Sequence, residues 1–315
     1  MGGFEAFLQQ VLIGLSNGMI IALIALGYTM VYGVLELINF AHGDLFMLGA
    51  FLALTLVGAL GLEGPGGLAV LLAAGPAFCA GLNWAIDRWA YRPLREAPKM
   101  APLVSAIGVS FILMNVGLFW GALPMEAFGG GRAAAAPKDF PALVSNADLL
   151  GGALGAGVRF TGKELLVWAV TLPLLGGLTA FVRWTRLGMA MRATAQDPVA
   201  ARLMGIDVDR VIGATFLLGG ALAGFASVVY ALYTNTISFQ LGYRAGLDAF
   251  TAAVLGGIGN LPGAALGGLL IGLVRAMSDW AIAAEWTQAI VFAILILILV
   301  FRPSGLLGAR VREKV

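Results

Sequence analysis

Apolar positions along this chain fall into long runs of about twenty residues, separated by short polar or glycine-rich stretches. Candidate helices lie near 8–32, 45–61, 67–88, 101–122, 164–184, 210–232, 247–280 and 284–302. The clearest run is 282–301, in which Glu285 is the only charged residue. About twenty apolar residues cross a hydrocarbon core about 30 Å thick. Lipid offers the backbone no hydrogen-bond partner, so such segments must be helices. Unbroken apolar runs also argue against a membrane β-barrel, whose strands alternate polar and apolar positions. The pattern predicts an all-α polytopic membrane protein of about eight transmembrane segments, some of them broken or re-entrant, built as one transmembrane domain over 1–315.

Composition agrees. Of the 315 residues 60% are hydrophobic and 11% charged, less than half the charge of a usual soluble domain. The net charge of +2 says little, but its placement says more. Arg88, Arg92, Arg95 and Lys99 form one basic cluster. Arg183, Arg186, Arg192, Arg202 and Arg210 form a second, and Arg302, Arg310, Arg312 and Lys314 a third. Short loops rich in Lys and Arg stay cytoplasmic, which places all three clusters inside. The long connection at about 123–163 mixes Arg132 and Lys138 with Asp139 and Asp148, and goes outside. Three crossings before Arg88 would put the N-terminus outside. The segment MGGFEAFLQQ has no basic residue ahead of its apolar run, so it does not read as a cleaved signal. Trp84, Trp89, Trp280 and Trp286 stand near span ends, as interfacial anchors would. One cysteine, Cys79, excludes an internal disulfide, and one histidine, His42, excludes a histidine-built metal site.

Parity then singles out 247–280. This segment must begin and end outside, because the last span ends inside at Arg302. Its interior reads AVLGGIGNLPG, whose Gly256, Gly257, Gly259, Asn260, Pro262 and Gly263 would break a helix at mid-membrane depth. Two short half-helices meeting at this break are expected. A second interruption, INFAHG at 38–43, places Asn39, Phe40, His42, Gly43 and Asp44 between apolar runs. Interrupted segments in corresponding positions of two halves point to an inverted repeat with a transport site between them. At the first break, His42 and Asp44 could relay protons; the plainer expectation is that Asn39 and Asp44 satisfy backbone groups freed there while His42 bonds locally. Asn260 and Pro262 either line the substrate route or close the turn. Gly256, Gly259, Gly263 and Gly267 recur at spacings that let helix backbones approach closely. Arg244 and Asp248 read as rim charges outside the apolar core.

The cytoplasmic loop at about 185–209 is too polar to span and too long for a simple connector. Asp197-Pro198 is a helix start, with Asp as cap and Pro in the first turn. Val199, Ala200, Leu203 and Met204 form an apolar stripe, and Gly205 is a natural stop. A helix of about two turns is not stable alone. It docks either on the protein's own helices and the lipid headgroups, or in a partner's groove with Ala200, Leu203, Met204 and Ile206 as anchors.

Three stretches carry a family resemblance. ALIALGYTMVYGVLELINFAHGDLFMLGAFLA (22–53) and FTAAVLGGIGNLPGAALGGLLIGLVRA (250–276) resemble the branched-chain amino acid permeases of bacterial ABC importers. RLGMAMRATAQDPVAARLMGIDVDRV (186–211) is similar to their ATPase-contacting loop. The likeness runs from about 8 to about 305 and is least specific over 123–163. It implies a bacterial inner-membrane importer with two permeases, the second a paralogue, and two cytosolic ATPases that hold the ATP and Mg. It also implies an external solute-binding protein that delivers leucine, isoleucine or valine. The chain itself would bind no cofactor, metal or nucleic acid and carry no catalytic residue. Asp197, Pro198, Ala200, Ala201, Leu203, Met204, Gly205 and Ile206 would then form the coupling helix. Many importers carry Glu-Ala-Ala, three residues and Gly here; this chain has Ala200-Ala201 and Gly205, but Val199 replaces the Glu and no Leu-Pro follows.

The residues also limit the alternatives. There is no G-x-x-x-x-G-K-[ST] loop, so ATP chemistry has to reside elsewhere. An amide or urea importer permease remains a reading of the same class. An ion-coupled carrier would need intramembrane carboxylates, and Glu36, Asp44, Asp248 and Asp279 all sit near ends or breaks. An intramembrane enzyme lacks its chemistry, with no Gly-x-Ser-x-Gly or His-Glu-x-x-His.

Overall fold

A computed structural model describes residues 3–35, 39–95, 97–98, 100–131, 133–149, 151 and 157–308. Glu36, Ile38, Lys99, Arg132, Arg310, Arg312 and Lys314 lie outside them. The helices are α1 (Gly3–Leu35), α2 (Ala41–Leu60), α3 (Gly64–Ile86), α4 (Met100–Gly121), α5 (Gly162–Trp184), α6 (Arg186–Gln196), α7 (Pro198–Leu203), α8 (Val208–Thr234), α9 (Leu241–Gly256), α10 (Leu261–Ala281) and α11 (Ala284–Phe301). Eight of them, all but α6, α7 and α9, are long and apolar enough to cross a membrane. The protein is a multi-pass membrane protein of the all-α class.

Burial sorts the helices into two layers. α1, α2 and α8 are largely buried, whereas α4, α5 and α11 expose most of their apolar surface. In lipid an exposed apolar helix is at no disadvantage, so hydrophobicity does not decide which helix goes inside. Close approach does, because association rests on van der Waals packing between small residues. α1 and α10 run antiparallel with backbones in contact. A Cβ on Gly268 would stand 2.5 Å from Ala22 Cα, and one on Gly272 would collide with Gly18. The predicted glycine spacing acts in the same way between α9 and α10, where a Cβ on Gly256 would overlap Gly263 O and one on Gly267 would overlap Ala252 O.

Contacts also order the two ends of the bundle. Phe7 of α1 lies beside Trp280 at the far end of α10, ring centroids 6.5 Å apart. Trp168 in the second turn of α5 donates Nε1–H to Ser16 at 3.1 Å. The start of the chain is therefore at the end opposite α7, as the count of crossings predicts. The connection after α4 is not structureless: Lys138–Asp139 (β1) pairs antiparallel with Thr236–Ile237 (β2) at that same end.

Two expectations need correction. The segment 247–280 does fold back on itself at the break, but its legs are unequal. α9 has 16 residues, whereas α10 has 21 and is long enough to span by itself. The break also lies level with the end of the last span, α11, and not midway along it. Leu306 N–H donates to Leu255 O at 2.8 Å and Leu307 N–H to Gly256 O at 3.0 Å, so the break abuts the segment just after Arg302. In addition, α6 occupies a stretch read as loop. Its Gly188, Met191 and Thr194 are buried on one face, and Thr185 caps it by accepting from Gly188 N–H at 3.0 Å.

Candidate functional site: the α7 loop and the two helix breaks

The start of α7 follows directly from its sequence. Asp197 is extended, φ −158°, and its Oδ1 accepts from Val199 N–H at 2.8 Å and Ala200 N–H at 3.0 Å. Pro198 occupies the first turn, where a missing N–H costs nothing. Gly205 at φ +83° ends the helix in a conformation that suits glycine. Its N–H meets Arg202 O and that of Ile206 meets Ala201 O, both at 3.0 Å. Ala201 faces the protein and is buried, while Val199, Leu203 and Met204 are 63%, 84% and 83% exposed, and Ala200 is exposed beside them. The apolar stripe thus points away from the molecule. Ile206 differs from the other named anchors: the turn at Gly205 brings it back onto the protein's own core, where it is half-buried.

The first break delivers a buried helix start. Ala41, His42, Gly43 and Asp44 open α2 with no exposure beyond 3% in His42 and Asp44. Among the described residues the side chains of Asn39 and Asp44 bond side chains of other segments, and the expected partners at 36–38 lie outside those residues. Asn39 Oδ1 accepts from the Tyr91 hydroxyl at 2.8 Å, and Asp44 Oδ2 accepts from the Ser110 hydroxyl at 2.5 Å. Each tethers the break to another helix. His42 packs edge-on against Tyr28, centroids 4.8 Å apart, in space left open because Gly27 has no side chain. Gly43 lets α9 approach α2 so closely that a Cβ on Gly242 would be 2.8 Å from Gly43 O. Above this contact lies a cavity of about 310 Å³ between α2, α4 and α9, walled by Tyr28, Ile107, Phe111 and Phe250. Asp44 and Ser110 lie on its wall, and Phe40 and Tyr243 stand at its exposed side.

The second break is a structural turn. Gly257 at φ +105° and Gly259 at φ +88° adopt backbone conformations that suit glycine. Asn260 Oδ1 caps α10 by accepting from Gly263 N–H at 2.9 Å, while its Nδ2 donates to Leu307 O at 2.7 Å. Pro262 sits in the first turn of α10. None of these residues lines the α2–α4–α9 cavity. Gly259 instead meets the end of α1, where a Cβ on Gly33 would be 3.2 Å from Gly259 Cα. A space of about 80 Å³ there is shared with Met191 and Arg192 of α6. The helix that sequence reasoning missed is therefore the element joining the α7 loop to the second break.

An ion-pair network completes this end. α3 continues through a π-helical turn, Asp87–Tyr91, into Arg92 and Arg95. Arg95 pairs with Asp87 and with Asp209, each at 2.5 Å, and Arg92 pairs with Asp209 at 2.8 Å. Asp209 is in the first turn of α8, just after α7. The basic cluster was legible in sequence, but its acidic partner more than a hundred positions away was not. Among the described residues no group of three or more His, Cys, Asp or Glu could hold a metal ion.

A family model described as branched-chain amino acid transport system, permease component, matches residues 10–299. The chain belongs to that family. The permease is 39% identical over 316 residues to the high-affinity branched-chain amino acid transport system permease protein LivH of Salmonella typhimurium, covering 99% of both chains. It is 40% identical over 313 residues to the permease protein BraD of Pseudomonas aeruginosa, covering 98% of each. The xylose transport system permease protein XylH of Escherichia coli is 30% identical over 214 residues, which is 62% of this chain and 54% of that protein. No solved structure matches the chain.

Proposed function

We propose that this permease is the membrane-spanning subunit of an ATP-driven importer that moves branched-chain amino acids inward across the bacterial inner membrane. The observation that carries the reading is α7. A six-residue helix that exposes Val199, Leu203 and Met204 in a polar loop buries only Ala201 within its own chain. Helices this short persist only when docked, and a helix in a partner's groove is a recurring solution. The partners are two cytosolic ATPases that bind ATP and Mg, since the chain carries no phosphate loop. A second, paralogous permease and an external solute-binding protein complete the machine, and 1–315 acts as one permease domain. The names borne by the LivH and BraD relatives support leucine, isoleucine and valine as cargo.

In this mechanism, closure of the ATPases displaces α7. α6 transmits the displacement to the second break, where Met191, Arg192, Gly33 and Gly259 share one space. Motion of the α9–α10 hairpin then changes the width of the α2–α4–α9 cavity, because α9 forms one of its walls. The Arg92–Arg95–Asp209 network keeps the ends of α3 and α8 together as α7 moves. An amide or urea importer permease would use the same parts, and the xylose relative illustrates how cargo varies among similar chains. An ion-coupled carrier is less well supported, because Asp44 is held by Ser110 and Asp248 is paired with Arg275. Proteoliposomes containing the permeases, ATPases and binding protein test the proposal. They should accumulate leucine only when ATP is supplied on the ATPase side. Accumulation driven by an ion gradient without ATP would contradict it.

A further inference from the structure

α9 separates two cavities. Its Tyr243, Gly246, Leu247 and Phe250 face the apolar cavity beside α4, whereas Leu241, Arg244, Ala245 and Asp248 face a second cavity of about 280 Å³. The second lies among α1, α2, α8, α9 and α10, reached from the ends of α8 and α10 opposite α7. Its apolar part is made by Ile20, Ile21, Ile24 and Phe46, all buried. Its polar part combines Asn17, Tyr230, Thr234 and Ser238 with four charges, two of each sign. Asp248 is buried and paired with Arg275, which corrects the reading of Asp248 as a rim charge. Arg244 and Asp279 stand at the exposed edge, and among the described residues neither belongs to an ion pair. Asp279 accepts a hydrogen bond from the Thr287 hydroxyl.

We infer that this cavity is a binding site for a zwitterionic amino acid with a branched aliphatic side chain. The carboxylate lies toward Arg244, the ammonium toward Asp279, and the side chain on the isoleucines. The inference rests on the importer reading for the identity of the ligand, and on the cavity for its chemistry. The four charges sum to zero, so a net cation or anion gains from one edge charge and is opposed by the other, whereas a zwitterion satisfies both. Arginine offers a planar fork suited to a carboxylate. The volume is at the small end of ligand pockets, with room for a small molecule and a few waters of about 30 Å³ each. The arrangement departs from a passive apolar passage: a ligand arriving at this end meets a charge-matched station before the apolar cavity across α9.

The test is equilibrium binding of radiolabelled L-leucine to the full chain in lipid nanodiscs, with 4-methylpentanoate and 3-methylbutylamine as competitors. These lack the ammonium and the carboxylate respectively. Binding is expected to be saturable and displaced by L-isoleucine, with each half-ligand weaker by about tenfold or more, the effect of losing one hydrogen-bonded charge. Arg244→Ala should weaken binding by a similar factor and Arg244→Lys by less, with both variants unfolding at the wild-type temperature. No saturable binding, equal competition by either half-ligand, or unchanged affinity in Arg244→Ala would each overturn the site. ATP-driven uptake by the complete importer is measured in parallel. An importer that carries leucine although the cavity does not bind it sinks only this inference, whereas one that carries no branched-chain amino acid sinks the importer reading.

Discussion

Asp197 and Asn260 perform the same task at two places, each accepting from backbone N–H groups at the start of a helix. The consequences differ because α7 has six residues and α10 has 21. Losing an N-cap costs about 1 kcal/mol, which a long packed helix absorbs and a two-turn helix does not. Asp197→Ala should therefore raise the hydrogen-exchange rate of 198–204 about fivefold and lower transport, while Asp197→Ser keeps both near wild type. Unchanged exchange in the alanine variant would show that α7 owes its form to something other than its cap. The cap at Asp197 was legible from residue type and the following proline, whereas Asn260 read as closing a turn or lining the route. The partners of Asn39 and Asp44 were not legible, since Tyr91 and Ser110 are brought beside them only by the packing of α3 and α4.

Helices of this permease are matched by glycine rather than by bulk. A Cβ on Gly267 would overlap Ala252 O, while at Gly177 on α5 nothing lies within 4 Å. Gly267→Ala forces α9 and α10 apart, with an overpacking cost of about 1–3 kcal/mol. Gly177→Ala gains helix propensity, worth about 1 kcal/mol in water. Thermal unfolding in detergent should show the first variant melting several degrees lower and the second at or above wild type. Equal shifts would mean that close approach does not hold the hairpin together. The spacing of these glycines was visible in the sequence, and parity required the segment to begin and end on one side. The unequal lengths of α9 and α10 were hidden because the hydrophobic run continues through both. α6 was hidden for the opposite reason: its two arginines, Arg186 and Arg192, made an amphipathic helix look like a charged loop.

Across the whole molecule, the end bearing α7 is held by the Arg92–Arg95–Asp209 network, and the opposite end by packing, the Asp248–Arg275 pair and the short β1–β2 pair. Arg95 bridges Asp87 on the π-helical turn and Asp209 on α8, with its side chain only 12% exposed. Removing one member of a buried pair costs about 3–5 kcal/mol, because the remaining charges lose compensation. Arg95→Ala should destabilise the permease strongly, and Asp209→Asn in that background should add little, giving a coupling of about 1 kcal/mol or more in a double-mutant cycle. Full additivity would mean that the network is not formed in the membrane. That α7 lies beside this network, at the end that holds Arg92 and Arg95, follows the charge distribution read from sequence. That α6 then leads back to the second break was not predictable, because it depends on how α1 and α10 cross.

In the proposed importer, energy enters at α7. The direct measurement is ATP-dependent leucine uptake together with co-purification of the ATPases, for Leu203→Asp and Ala200→Asp. Leu203 is 84% exposed and Ala200 is exposed beside it, so neither substitution disturbs the permease core. Loss of both uptake and co-purification, with the variants inserted and melting at the wild-type temperature, is the predicted result. Wild-type ATP-dependent uptake with the ATPases still bound would contradict the assignment of α7 as the point where energy enters.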